Sequence, residues 1–367
     1  MSGRNTFITE EQMILLFDPD QPFLRWCKAE DGILSENRCP FGPRWADAVI
    51  MDAGSTDRIH AIGYMLHNGG RDITTSVTIL SQELLTRVER CVWLLPEHND
   101  ITLKIAHYWI DTLPDIPHIL FCNTAFFTDL PTKVSTYAVP YELCRKGIRR
   151  YGGYGLIHQW AWKKTQSSLN DQSRKLLSIY LGNHTNIAAI RNGMPLETTL
   201  GFSSLEGIPS SNGCGDIDAT IIFQLHSAGM SLEEINRLLS KESGFTGLLG
   251  KKCSFLDIAR NSDSDKTAAR DILCYTILKY AGAFISILGG VDSIAFLSTH
   301  IRESLNLISD ICHRLEFLGL KCNAIQDVNE DSPLLSTTDS RVAVYCMQCN
   351  QWKVMLEEAE RLLKRGV

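Results

Sequence analysis

The stretch from Ser178 to Leu225 constrains the fold of this chain more than any other segment. It begins with a short apolar run, Ile179 to Leu181, that stops at a Gly-Asn pair. A second apolar run, Ile187 to Ile190, leads into Asn192-Gly193. Asn-Gly is the strongest short-range hairpin signal because both residues accept a positive φ. The segment therefore predicts a strand, a tight polar turn and a β-hairpin.

The second half of the same stretch is rich in glycine and ends in the acidic turn Asp216-Ile217-Asp218. Backbone amides in such turns bind phosphate, and neighbouring carboxylates hold metal ions, so one interpretation is a phosphate or metal site. A β-rich domain with ordinary turns is the alternative, which the pattern alone favours. The glycines of this half are Gly201, Gly207, Gly213 and Gly215.

Composition excludes several classes of protein. Of the 367 residues, 44% are hydrophobic and 21% are charged, which is typical of a globular chain with room for two domains. The net charge of −6 leaves no electrostatic footprint for nucleic acid. The N-terminus does not read as a secretory signal, and the longest apolar run, Ala281 to Val291, is short for a membrane span. We therefore predict a cytoplasmic protein that binds neither nucleic acid nor membrane.

The twelve cysteines are scattered, and most lie inside apolar runs where a free thiol acts as a small core residue. Cys346 and Cys349 form a lone CxxC at the end of a predicted strand. A zinc site would need a second ligand pair, and a redox pair would need a helix N-terminus beside it. A zinc or redox module here stays open as a minor alternative to reduced core thiols.

Strands alternate with helices along the chain, which predicts two α/β domains with a seam near residues 123–131. Residues 13–17 are predicted as a strand followed by a turn at residues 18–20, and residues 31–45 as a loop. No internal sequence repeat is visible. Later strands are expected at 59–66, 118–122, 293–298 and 342–346, and the longest helices at 266–288, 303–318 and 351–365.

Four stretches resemble the acetate kinase family in collinear order. Phe121 to Pro131 reads FCNTAFFTDLP, and Tyr137 to His158 reads YAVPYELCRKGIRRYGGYGLIH. The Ser178 to Leu225 stretch follows, and Leu335 to Tyr345 reads LSTTDSRVAVY. Members of this family transfer the γ-phosphate of ATP to acetate, propionate or butyrate, so the resemblance implies that reaction.

The resemblance also implies an architecture. It implies an α/β fold of two ribonuclease-H-like domains, of the sugar kinase, actin and Hsp70 superfamily, hinged over a nucleotide cleft. Residues 1–125 would form the first domain, with the C-terminal helix 351–367 packing back on it. Residues 126–350 would form the nucleotide-side domain. ATP with Mg²⁺ and a small carboxylate are the implied ligands, and a homodimer or mixed dimer is the implied assembly.

The reacting centre departs from the family's pattern. Phosphoryl transfer to a carboxylate joins two anions, so it needs cations and hydrogen-bond donors around the transferring group. The family's glycine- and serine-containing phosphate loop falls on Arg4 to Gln12, which has neither residue type. Two family arginines fall on Met65 and Gly213, and the catalytic aspartate falls on Asn123. Two family histidines are likewise replaced, by Asn68 and Phe127.

The nucleotide side departs as well. The family's adenosine loop, Gly-Ile-Gly-Glu-Asn, reads Thr299 to Glu303 here, with bulky side chains where the backbone would approach a ligand. The glutamate that holds the metal falls on Gln351, whose amide supplies no negative charge to a magnesium site. We therefore assign no metal ligand to this chain.

Other family positions are retained, and the candidate site combines them with Asn123 and Arg71, which are not. His158 matches a family histidine that binds the transferring phosphoryl group, and Asp218 belongs to the retained acidic turn. Arg71 follows the retained glycine pair and is a possible substitute cation. The predicted catalytic residues are His158, Asn123 and Asp216. The predicted substrate- and phosphate-binding residues are Asn183, His98, Gly69, Gly70 and Arg71.

Three functions remain open at this point. The first is an acetate kinase-like protein with weak or no activity, since each lost transition-state contact costs roughly 3–4 kcal/mol. The second is an inactive regulatory or interaction subunit. The third is a phosphotransferase for another small acid that uses Arg71, His158 and Asp216 in altered roles.

Overall fold

A computed structural model describes residues 13–20, 22–30, 32–166, 174–260, 264–323 and 334–365. The residues predicted to replace the phosphate loop, Arg4 to Gln12, lie outside these ranges. The chain divides into two compact units. Unit 1 holds the described residues up to Thr128 and again from Gln351 onward, and unit 2 runs from Asp129 to Asn350.

Unit 1 is a mixed α/β unit built on one sheet. Its strands are β1 (Met13–Asp20), β2 (Phe23–Glu30), β3 (Ile33–Pro40), β4 (Ile59–Leu66), β5 (Val77–Ile79) and β6 (His118–Cys122). Its helices are α1 (Trp45–Ala53), α2 (Gln82–Cys91), α3 (Pro96–Thr112) and the C-terminal α13 (Gln351–Lys364).

The sheet of unit 1 has the order β3-β2-β1-β4-β6-β5. Strands β1, β2 and β3 form an antiparallel meander, and β1, β4 and β6 run parallel to one another. Alternate residues of β1 point into the core, where Phe17 lies 6.1 Å from both Tyr64 and Trp109, measured between ring centroids. Helix α13 packs against β1 and β5, with Trp352 buried.

Unit 2 is also a mixed α/β unit, with five strands and most of the helices. Its strands are β7 (Lys175–Tyr180), β8 (Asn186–Arg191), β9 (Met194–Thr198), β10 (Ser293–Ser298) and β11 (Ala343–Gln348). Its helices are α4 (Thr132–Ser135), α5 (Tyr141–Arg145), α6 (Gly155–Gln166), α7 (Thr220–Ser227), α8 (Leu232–Lys241), α9 (Gly244–Leu249), α10 (Phe255–Arg260), α11 (Ser264–Leu288) and α12 (Ile301–Arg314).

The sheet of unit 2 repeats the plan of unit 1. Its order is β11-β10-β7-β8-β9, with an antiparallel meander of β7, β8 and β9 followed by parallel β10 and β11. A three-stranded meander extended by parallel strands is the ribonuclease-H-like plan. The predicted fold class is confirmed, and it appears twice in a chain with no visible sequence repeat.

Helix α11 is apolar along most of its length. From Thr267 to Leu288 its 22 residues and mean hydropathy of 1.5 satisfy the length and composition of a membrane span. No apolar segment of that length was expected from the sequence. Core helices pass the same test, and Leu273, Ile277 and Phe284 of α11 are buried in the core of unit 2. A single helix of this kind does not by itself indicate a membrane.

Two local expectations for the N-terminal region were wrong. The first described strand continues through the expected turn to Asp20, which pairs with Phe23 of the antiparallel strand β2. The expected loop at residues 31–45 contains β3, whose side chains are exposed or only half-buried. A strand at the edge of a sheet buries little apolar surface, so it carries no alternating hydrophobic signal.

Candidate functional site

The loop that follows β4 lies at the carboxyl end of the parallel strands of unit 1, where α/β sheets bind ligands. Asn99, fully buried on α3, holds this loop in place. Its amide nitrogen donates to the carbonyl oxygens of Asn68 (2.7 Å) and Cys91 (3.0 Å), and its oxygen accepts from the backbone N–H of Asn68 (3.3 Å). Buried hydrogen bonds of this kind fix the backbone that carries the predicted binding residues.

Gly69 and Gly70 are explained by the loop's own packing. A Cβ atom on Gly69 would lie 2.4 Å from the Cys122 sulfur, and its N–H already donates to Thr124 Oγ1 at 2.9 Å. Gly70 has φ +62°, and its N–H donates to Asn68 Oδ1 at 3.0 Å. Both amides are therefore engaged within the protein, and phosphate binding by this glycine pair stays a prediction.

Positions 65 and 123 are both enclosed in unit 1. Met65 is fully buried within β4, so this position presents no cation. Asn123 follows β6, is buried, and donates its backbone N–H to the Leu66 carbonyl at 2.9 Å. Arg71 is exposed just beyond the glycine pair. The catalytic and binding roles predicted for Asn123 and Arg71 stay predictions.

The structure brings together a charged cluster that sequence reasoning missed. Asp18, at the end of β1, is buried, and its Oδ1 lies 2.9 Å from His67 Nε2. Its second oxygen lies 3.5 Å from Arg25 on β2. Burial raises the pKa of the Asp18 carboxyl, but the hydrogen bond from His67 and the nearby positive charges outweigh it, so the net pKa is lowered.

His98 belongs to the same cluster. Its ring lies 4.6 Å from the His67 ring between centroids, and its Nδ1 lies 2.9 Å from the carbonyl oxygen of Pro19. A carbonyl oxygen only accepts hydrogen bonds, so the proton of His98 lies on Nδ1. The apolar runs of β1 and β4 and the polar residues that follow them were readable signals, but the meeting of Asp18 and His67 depends on strand pairing.

In unit 2, His158 lies on α6 and is completely buried. Its Nδ1 lies 2.8 Å from the Ser178 hydroxyl, and its Nε2 is hydrogen-bonded to Asn186 Oδ1. Burial lowers its pKa to about 4, although the bond to Asn186 acts in the opposite direction. With both ring nitrogens engaged in the core, the geometry gives His158 a structural role, and its predicted catalytic role would require these bonds to break.

Asn183, in the turn after β7, ties three segments of unit 2 together. Its side-chain oxygen accepts from the Ser211 hydroxyl at 2.9 Å and from the backbone N–H of Phe255 at 3.0 Å. Its own carbonyl accepts from the backbone N–H of Ser211 at 2.9 Å. The side chain is exposed, which leaves its predicted binding role a prediction.

The acidic turn is similarly engaged. Asp216 accepts from the backbone N–H of Gly207 at 2.8 Å and from the Tyr280 hydroxyl, and Lys279 lies 4.0 Å away. Asp218 accepts from the backbone N–H of Thr220 at 2.8 Å, which lowers its pKa. These carboxylates fix the turn that leads into α7, and the catalytic role predicted for Asp216 stays a prediction.

The segment in place of the adenosine loop folds as a helix start. The His300 N–H donates to Ser298 Oγ at 3.1 Å, and Ile301 is buried in the unit 2 core as the first residue of α12. The turn at residues 299–303 is therefore stabilised by apolar packing and does not present a row of exposed backbone amides to a ligand.

The side chains that the structure describes do not assemble a metal site by themselves. Among the residues that the structure describes, no group of three His, Cys, Asp or Glu side chains is placed to hold a metal ion. The Gln351 side-chain nitrogen has no hydrogen-bond partner within the described part of the chain, and an amide adds no negative charge. We derive no chemical step through a bound metal.

The Cys346 and Cys349 thiols are both buried. Burial raises the pKa of Cys346 to about 12, the opposite of the shift that a reactive thiol or a zinc-binding thiolate needs. Their burial is therefore evidence against a redox pair or a zinc site at Cys346 and Cys349.

Comparison with known proteins names the family. Residues 48–357 match the model of the acetokinase family. The chain belongs to the acetokinase family. It is 32% identical over 319 residues to the acetate kinase of Fervidobacterium nodosum, covering 84% of this chain and 78% of that one. It is 28% identical over 363 residues to the acetate kinase of Coprothermobacter proteolyticus, covering 94% and 90%.

Solved structures agree with the family assignment. The acetate kinase of Porphyromonas gingivalis matches this acetokinase-family chain with a TM-score of 0.84 at 25% identity, covering 96% of this chain and 100% of that one. The acetate kinase of Entamoeba histolytica matches with a TM-score of 0.82 at 20% identity, covering 95% and 99%, which shows the shared fold.

Proposed function

We propose that this protein is a cytoplasmic phosphotransferase of the acetokinase family that binds ATP and phosphorylates acetate far more slowly than members with the full catalytic set. The observation that carries the proposal is the burial of two positions that the resemblance places in the active site, Met65 and His158. Met65 is sealed within the sheet, where the resemblance places a substrate arginine, and His158 has both ring nitrogens engaged in the core.

The size of the expected loss follows from the missing contacts. Removing one preorganised transition-state donor costs about 3–4 kcal/mol, or roughly a hundred- to a thousandfold in rate. Two arginine positions and one aspartate position are replaced together, and residues that act as a unit do not add. We therefore expect acetate phosphorylation at least about a thousandfold slower than in a full-set member.

The test is hydroxamate formation from acetate, ATP, magnesium and hydroxylamine, with the Porphyromonas gingivalis acetate kinase assayed beside it. The Asn123→Ala variant is assayed in parallel, and a lower rate in this variant would show that Asn123 contributes to the residual activity. Isothermal calorimetry checks ATP binding separately. A wild-type rate within tenfold of the reference enzyme, or no heat with ATP or its magnesium complex, contradicts the proposal.

A second candidate is an inactive subunit that acts by binding another acetokinase chain, and an exposed apolar face of unit 2 favours it. No residue of α7 is buried, and Phe223 is 68% exposed. On α11, Tyr275 is 72% exposed. The hydrogen bond from Tyr280 to Asp216 brings α11 next to the segment that leads into α7. Large exposed apolar patches mark protein interfaces, and we infer that these side chains of α7 and α11 belong to one such patch.

The expected consequence of this face is dimer formation. Phe223→Glu and Tyr275→Glu place charges on the apolar face and are expected to shift the protein from dimer to monomer, because burying an unpaired charge is costly. Light scattering after size exclusion measures the mass. The matched control is Phe317→Glu, since Phe317 is 79% exposed outside α7 and α11. A wild-type monomer, or equal effects of all three variants, contradicts this face as the interface.

A further inference from the structure

The Asp18–His67 pair has the geometry of an acid–base dyad. The Asp18 carboxylate is buried and is held on its other oxygen by Arg25, at 3.5 Å. His67 Nε2 lies 2.9 Å from Asp18, and 23% of the His67 side chain is exposed. A carboxylate that accepts the hydrogen bond of one imidazole nitrogen orients the ring and stabilises its protonated form. The second nitrogen, Nδ1, is then the atom that can exchange a proton.

The family reaction gives such a dyad nothing to do. A carboxylic acid has a pKa of about 4 and is already ionised at neutral pH, so a carboxylate acceptor carries no proton to remove. A hydroxyl oxygen does carry a proton that must leave when the oxygen attacks phosphorus. General-base catalysis by a positioned histidine contributes about a hundred- to ten-thousandfold to such a step.

We propose that His67, oriented by Asp18, is a general base for phosphoryl transfer from ATP to a hydroxyl oxygen, either of water or of a small alcohol. This inference rests on the proposed phosphotransferase function and changes the class of acceptor.

The step balances as an in-line displacement. The acceptor oxygen forms a bond to the γ-phosphorus while its proton passes to His67 Nδ1. The bond between the γ-phosphorus and the β,γ-bridging oxygen breaks, and its electron pair leaves with ADP. The products are ADP and either a phosphate ester or inorganic phosphate, and His67 returns its proton to solvent. Asp18 touches no reacting atom and is therefore a positioning residue.

The cluster around the dyad is polar, which suits a hydroxyl-bearing acceptor. His98 lies on α3 with its ring 4.6 Å from the His67 ring, and Arg25 lies on β2 between Asp18 and the Trp352 ring, 5.4 Å from the latter. An apolar pocket for a methyl group would exclude these groups. The two imidazole rings of His67 and His98 also lie beside each other at the carboxyl end of the parallel strands.

The experiment measures ADP formation from ATP and magnesium in separate arms. One arm has no added acceptor and reports on water, and the others contain ethanol, ethylene glycol or glycerol, which carry hydroxyl groups and no carboxylate. His67→Gln is expected to lower the rate in the productive arm at least about a hundredfold. His107→Gln is the matched control, because His107 is a half-exposed histidine of α3 beside a glutamate, 3.7 Å from Glu89. Its rate should equal that of the wild type.

A second variant separates positioning from folding. Asp18→Asn is expected to lower kcat while leaving the KM for ATP unchanged, whereas loss of the local fold would change ATP binding and thermal stability together. The dyad is overturned if ATP binds normally and His67→Gln and His107→Gln have equal rates. It is also overturned if ATP binds normally and no arm shows turnover. Either result leaves the phosphotransferase proposal to be decided by the hydroxamate assay. Absence of ATP binding overturns both.

Discussion

Replacing His158 with alanine is expected to lower the free energy of unfolding by about 3–4 kcal/mol at pH 7.5. The substitution leaves a cavity and removes the partners of two buried polar groups, and each such loss costs about 1–3 kcal/mol. Those groups are the Ser178 hydroxyl and the Asn186 side chain. Urea denaturation monitored by circular dichroism measures the loss.

The same histidine gives the protein a defined pH dependence. Its pKa is about 4 in the folded state, below the ordinary value of 6.5. The unfolded chain therefore takes up a proton that the folded chain does not, and stability falls as the pH falls from 6.5 towards 4. At pH 5 this linkage costs the wild type about 2 kcal/mol. The His158→Ala variant lacks this penalty, so its deficit relative to the wild type should shrink at pH 5.

The control is His313→Ala, because His313 is a largely exposed histidine of unit 2 beside Glu316. It should change stability by less than about 0.5 kcal/mol at either pH. A His158→Ala deficit that stays constant between pH 7.5 and pH 5 contradicts the buried, neutral state of this ring. A deficit below about 1 kcal/mol contradicts its place in the core.

Replacing Asn99 with alanine is expected to destabilise unit 1 by a similar amount, about 3 kcal/mol, and to loosen the loop after β4. The variant loses all three hydrogen bonds of the buried amide and leaves two carbonyl oxygens, those of Asn68 and Cys91, without that donor. Hydrogen exchange should show faster exchange of the Gly69 and Gly70 amides, which currently donate to Thr124 and Asn68.

The matched control for this prediction is Asn236→Ala on α8, an exposed asparagine in a helix. It should leave stability within about 0.5 kcal/mol of the wild type. Unchanged exchange at Gly69 and Gly70 in Asn99→Ala would show that other contacts hold the loop.

Local signals in the sequence were sufficient wherever neighbouring residues decide the structure. The Asn192-Gly193 hairpin is confirmed, with φ of 52° and 83°, because no distant contact is needed to favour those backbone angles. The capping box of Ser231 and Glu234 at the start of α8 forms for the same reason, since both residues belong to one helical turn. The buried strands β4, β6 and β10 were predicted within a residue or two from their apolar runs.

The edge strand β3 shows where local signals stop. Its residues are polar and mostly exposed, so nothing in its composition distinguishes it from a loop. Its pairing with β2 across eight register positions supplies the missing information. The repeat of one sheet plan in both units was hidden for a related reason, since backbone hydrogen bonds define the plan and many sequences satisfy them.

The sequence by itself determined the family and the ribonuclease-H-like fold class, and it predicted which family positions are replaced, such as Met65 and Asn123. These follow from residue identity and order. Only the tertiary structure showed how the retained residues are buried and which groups they contact. His158 is enclosed with Ser178 and Asn186, and Asp18 meets His67, 49 positions along the chain. The physical reason is that burial and hydrogen-bond partners, which set the chemistry of a titratable group, come from strand pairing and packing between distant segments.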